Sequence, residues 1–148
     1  MIEGRGRTTI RASARACYEF VLDMDRYARA DHKIGRVRSL QFDGRRGEVR
    51  YTGRLRGMPS PTMTHVIEAE PHTSIVVRSK PGSWQDRMGP FLGTFTFTEG
   101  DDGTTEVEHV EQLSFRGPAR PVMERLLGPW LAADTPAELE RMRALLEA

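Results

Sequence analysis

The chain has one cysteine, Cys17, in 148 residues. That excludes an intramolecular disulfide and any multi-cysteine metal site. It has no apolar run near the roughly 20 residues that a membrane helix needs. The N-terminal MIEGRGRTT is polar from the start, unlike a secretory signal, so the expected location is cytoplasmic, with no membrane span. A formal net charge of +1 gives no case for nucleic acid as a partner. Lysine is scarce too. Of 22 basic residues only Lys33 and Lys80 are lysines, and the other 20 are arginines. The arginines are scattered and mostly alternate with apolar residues, as solvent-facing positions do, rather than forming a phosphate site. Phosphate-binding loops, dinucleotide fingerprints and nucleophile elbows are all missing, and no cofactor is expected. The local His-x-Glu of His109 and Glu111 lacks a third nearby ligand, so no metal is expected either.

Hydrophobic content of 38% and charge of 29% describe a globular domain, and 148 residues are enough for one core. Residues 5–11 read as a first strand. Ser13 is placed to cap a helix carrying Cys17, Phe20, Val21 and Met24 on one face, ending near Asp23. Cys17 reads as a small buried hydrophobe. A second short helix spans 25–31, with Tyr27 inward and Asp31 as a cap.

The period then changes to two. Strands are expected at 33–42, 47–57, 62–70, 74–80, 91–100 and 105–115, joined by short turns such as Asp43-Gly44 and Asp101-Asp102-Gly103. The last begins TEVEHVEQLSF, and its apolar face carries two polar residues. Val107, His109, Glu111, Leu113 and Phe115 share one side, unless a β-bulge reverses the register. The end returns to helix. Val122, Met123, Leu126, Leu127, Trp130 and Leu131 form one apolar stripe, and Leu139, Met142, Leu145 and Leu146 continue it. Gly128-Pro129 should kink the helix. Thr135 and Glu138 have capping-box spacing, with Pro136 at the first helical position. A broken helix is expected, over about 119–133 and 136–147.

One strand, two short helices, a six-strand meander and a long terminal helix, in this order, resemble the START / polyketide cyclase (SRPBCC) superfamily. The resemblance rests on TTIRASARACYEFVLDMDRYARAD, on GTFTFTEGDDGTTEVEHVEQLSF and on MERLLGPWLAADTPAELERMRALLE, and covers the whole chain, 1–148, as one domain. It implies an α+β helix-grip fold: a curved seven-stranded antiparallel sheet around the kinked C-terminal helix. Between them it implies a cavity for a small hydrophobic ligand, lipid or polyketide-like. Members include lipid carriers, hormone receptors and polyketide cyclases, so a binding module and a cyclase, aromatase or dehydratase both stand. RGMPSP (56–61) and PGSWQDRMGP (81–90) occupy the places of the family's gate and latch loops, although Asp86-Arg87-Met88 departs from the family's His-Arg-Leu. Both also read as ordinary Gly/Pro turns.

The inward register then assigns a cavity wall of Leu55, Met63, Ile67, Phe91, Phe95, Phe97, Val107 and Leu113. Met123, Leu127 and Trp130 would approach from the helix, and Trp84 would serve as a lid or cover the sheet edge. Four polar residues share the inner face: Tyr51, His65, His109 and Glu111. An imidazole oriented by a carboxylate is a general base for removing a proton beside a carbonyl, and a tyrosine hydroxyl can bond the resulting enolate. These four are the candidate catalytic residues.

Overall fold

The computed structural model describes all residues, Met1–Ala148. β1 (Ile2–Ile10) is followed by α1 (Ala14–Leu22) and α2 (Met24–Tyr27). The meander comprises β2 (Ile34–Phe42), β3 (Arg46–Leu55), β4 (Met58–Glu70), β5 (Ser74–Ser79), β6 (Phe91–Glu99) and β7 (Thr105–Leu113). A short α3 (Trp84–Met88) interrupts it, and α4 (Arg120–Glu147) closes the chain. All strands pair antiparallel in the order β1-β7-β6-β5-β4-β3-β2. This is the helix-grip arrangement.

Local signals explain the first elements. The Ser13 side chain accepts from the Ala16 N–H at 3.1 Å, meeting one orphan donor of α1, and Asp23 ends that helix. Cys17 is fully buried, and burial pushes its thiol up to about 11, so it is inert packing. α2 is shorter than expected. Asp31, read as a cap, is instead buried beside α4.

The region taken for a gate loop is a tight hairpin. β3 ends at Leu55 and β4 starts at Met58, leaving Arg56 (φ 51°) and Gly57 (φ 81°) as the turn. Positive φ at both central residues is the geometry whose twist matches flanking strands, so residues 58–61 extend β4 rather than form a flap. Residues 81–90 hold α3, capped by Ser83, where a loop was expected.

α4 is one helix of 28 residues, not two, with Pro129 and Pro136 inside it. Thr135 and Glu138 therefore do not form a capping box. Both are fully buried, on a stripe with Leu127, Leu131, Leu139 and Met142. Each proline removes one backbone hydrogen bond. The stripe's burial against the sheet outweighs that loss and keeps the helix continuous. Val122 and Leu126, expected on the buried stripe, are 67% and 41% exposed.

Close approach of α4 to β1 depends on glycine. A Cβ on Gly4 would lie 2.0 Å from Thr135 Oγ1 and 2.6 Å from the Leu131 carbonyl oxygen. On Gly6 it would lie 2.9 Å from Pro136 Cα. The core itself has two parts. The larger joins α1, α2, the middle of the sheet and Leu139 and Met142; the smaller joins Ile2, Leu113, Leu127 and Leu131. Between them along α4 lie Thr135 and Glu138. Gly4→Ala should destabilise the fold by about 1–3 kcal/mol through overpacking against helix backbone, measurable as a lower urea midpoint at unchanged m.

Candidate functional site

β7 pairs with β1 and β6 without a register shift, so its alternation holds to the end. Thr105, Val107, His109, Glu111 and Leu113 are all buried on one face. Room for the two polar side chains comes from glycine. Gly4 and Gly93 stand opposite Glu111 on the two neighbouring strands, and Gly6 stands opposite His109. The His109 ring stacks on Phe95, with centroids 3.8 Å apart and planes at 8°.

His109 and Glu111 join a buried ionic cluster centred on Lys33. The Lys33 Nζ lies 2.7 Å from Glu138 Oε2, 2.9 Å from Asp31 Oδ1, 3.1 Å from Asp134 Oδ2 and 3.2 Å from Glu111 Oε1. The Thr135 hydroxyl bonds Glu111 Oε1 at 2.9 Å, and the Tyr27 hydroxyl donates to Glu138. Arg141 pairs with Asp134 at 3.2 Å. His109 Nδ1 sits 2.8 Å from the Thr94 carbonyl oxygen, and Nε2 faces Glu138 at 3.3 Å and Glu111 at 3.5 Å. Both ring nitrogens meet only acceptors, so both carry hydrogen and the ring is an imidazolium.

The charges follow from these contacts. Burial opposes a charged His109, but Glu138 and Glu111 outweigh it and push its pKa up to about 10. Burial likewise works against Lys33, yet Asp31, Glu138, Glu111 and Asp134 hold it well above its ordinary value. Burial also opposes ionisation of Glu111; Lys33 and His109 nevertheless keep it below the usual carboxylate range. Burial, then Glu138, pushes Asp31 up, against Lys33.

A second polar group lies on β3, β4 and α3. The His65 Nε2–H donates to Gln85 Oε1 at 2.8 Å, and the Tyr51 hydroxyl donates to His65 Nδ1 at 3.0 Å. Burial pulls His65 down to about 4 despite the Gln85 bond, so its ring is neutral at pH 7. Burial, foremost, also raises Tyr51 well above the ordinary phenol range.

Both groups border one cavity of about 100 Å³ between the sheet, α1, α2 and α4. Of its 24 lining residues 16 are hydrophobic. The structure brings Tyr51, His65, His109, Glu111, Leu55, Met63, Ile67, Phe91, Phe95 and Leu113 to this wall. It places six other expected residues elsewhere. Phe97 and Val107 pack in the larger core. Leu127, with Met123 and Trp130 against it, belongs to the smaller core. Trp84 is 46% exposed, and its indole donates to the Thr62 carbonyl at 3.1 Å. Its partner on α3, Gln85, is the buried residue that reaches the cavity.

Sequence reasoning missed Asp31, Lys33, Gln85, Asp134 and Glu138. Two signals pointed to them: Lys33 is one of only two lysines, and Thr135 and Glu138 fall four and seven residues after Leu131, on the buried stripe. Glu138 also provides the third ligand-type atom near His109 and Glu111. Lys33 Nζ already stands among these carboxylates, at the position a cation would take.

The sheet, the gripping helix and the cavity between them define a START-type helix-grip protein. The chain belongs to the polyketide cyclase / dehydrase and lipid transport family, whose model matches residues 1–147. Solved structures share the fold. The Zhui aromatase/cyclase from Streptomyces sp. R1128 is 17% identical over 98% of this chain and 93% of its own, with a TM-score of 0.79. A START superfamily protein from Mycobacterium smegmatis is 16% identical over 98% and 97%, with a TM-score of 0.72. The human StarD13 lipid transfer and protein localization domain is 12% identical over 95% and 74%, with a TM-score of 0.69. Such identities carry the fold and not the activity. No curated protein matches the chain. No helix is long and apolar enough to cross a membrane.

Two outcomes test the cluster. Lys33→Met leaves its carboxylates without their central cation and should cost about 3–5 kcal/mol in denaturant unfolding. A raised His109 pKa means that the folded state holds a proton the unfolded chain releases. The stability it contributes is complete below its ordinary 6.5 and is lost as pH rises through about 10. His109→Gln should flatten the stability profile across that window.

Proposed function

We propose that the protein binds a small, largely apolar molecule, lipid- or polyketide-like, in the cavity between the sheet and α4. The cavity itself is the observation that carries this reading. Protein interiors are close-packed, so a mostly apolar space of about 100 Å³ leaves its wall short of contacts. An apolar ligand restores the missing contacts. The volume fits a single ring or a short acyl segment.

The histidines favour binding over acid–base turnover. A general acid or base works best with a pKa near the operating pH. His65 lies at about 4 and His109 at about 10. His109, moreover, has no free lone pair, because Nδ1 faces the Thr94 carbonyl and Nε2 faces the cluster carboxylates. The second reading is a cyclase, aromatase or dehydratase. It rests on the Tyr51–His65–Gln85 chain, which offers the cavity a hydroxyl backed by a neutral imidazole.

Toluene tests the binding reading. It should raise the Tm of the wild type in a concentration-dependent way, and Val49→Phe, which fills the cavity, should abolish the rise while the variant stays folded. No shift in the wild type, or an equal shift in the variant, overturns it. For the catalytic reading, Tyr51→Phe should lower turnover of a poly-β-ketone thioester by about 10²-fold or more. If the wild type does not turn such a substrate over, binding alone remains.

A further inference from the structure

The polar pole of the cavity has a sign. Its lining includes Asp31, Lys33, His109 and Glu111, and the only other charged lining residue, Arg54, is exposed to solvent. Within the cluster three cations, Lys33, His109 and Arg141, face four carboxylates, Asp31, Glu111, Asp134 and Glu138. One negative charge is left over. Screening is weak for buried groups, so this excess acts at nearly full strength on whatever enters. The Arg54 charge is diluted by water.

The acceptors are also placed to receive a donor. The ion pairs and hydrogen bonds of Glu111 converge on Oε1: Lys33 at 3.2 Å, Thr135 at 2.9 Å and His109 at 3.5 Å. Those of Asp31 converge on Oδ1, from the Lys33 ammonium and the Lys33 backbone N–H, both at 2.9 Å. Both residues also line the cavity. The cations of the pole are already spent: the Lys33 ammonium has three hydrogens and four carboxylates around it, and both His109 hydrogens point at acceptors. A ligand carboxylate or phosphate would find no free donor there and an excess of like charge.

We infer that the cavity selects apolar molecules carrying an amine, seated with its ammonium against Asp31 and Glu111, and rejects those carrying an acid group. The inference rests on the binding reading above and names its ligand class. The ligand's ammonium supplies the cation that the cluster lacks.

Three probes of one ring size decide this: toluene, benzylamine and benzoate, with Kd measured by calorimetry at pH 7. Toluene reports on the cavity alone. Benzylamine should bind at least 10-fold more tightly than benzoate. The preference for benzylamine over benzoate should shrink in Glu111→Gln and in Asp31→Asn, read in each variant against its own toluene binding. Either variant suffices if the other does not fold. Toluene binding accompanied by equal or tighter binding of benzoate overturns the inference and leaves the cavity reading intact. So does a preference unchanged in a folded variant. If none of the three binds, the cavity reading falls, and this inference with it.

Discussion

One ammonium group organises this protein. Lys33 Nζ touches a carboxylate from the segment after α2, one from β7 and two from α4. Burying an ion costs several kcal/mol, and the attraction of its partners returns that only with good geometry and full hydrogen bonding. Both conditions hold. Contacts run from 2.7 to 3.2 Å, and no buried side-chain nitrogen or oxygen lacks a partner. Tyr27, Thr135, His109 and Arg141 complete the shell. A network of this kind fixes where the terminal helix sits, because hydrogen-bond lengths leave less freedom than apolar packing does.

The cavity follows from that polar layer. Leu127 and Leu131 pack at one end of α4 and Leu139 and Met142 at the other, with Thr135 and Glu138 between. Apolar side chains cannot close over charged ones without removing their partners, so the two cores stay separate. On the sheet side, Gly93 beside Glu111 adds no side chain to fill the gap. The space borders the ionic pole at one side and the Tyr51–His65–Gln85 chain at another. The result is a mostly apolar wall interrupted by two polar sites.

The same residues separate what could be read along the chain from what could not. Period-two alternation identified the meander, and the Ser13 cap located α1, because both depend on neighbours a few residues away. The side chain direction of His109 and Glu111 was legible too, since β7 has no bulge. Their roles were not. An acid–base pair was expected from proximity along the strand, yet Lys33, 78 residues before Glu111, and Glu138, 105 residues after Lys33, meet it through the fold's closure and turn the pair into one ionic cluster.

The terminal helix shows the division most clearly. Pro129, Thr135, Pro136 and Glu138 carry local signals for a break and a new cap, and on local physics alone a break is favoured. Burial of one continuous face against β1, possible because Gly4 and Gly6 have no side chains, overrides those signals. By itself the sequence determined the strands, the first helix and the order of elements, because periodicity and capping act within one or two turns of chain. Only the tertiary structure decided that Asp31, Lys33, Asp134 and Glu138 meet, because charges distant in sequence share a site only when the sheet and helix close on each other. That meeting sets the sign of the cavity.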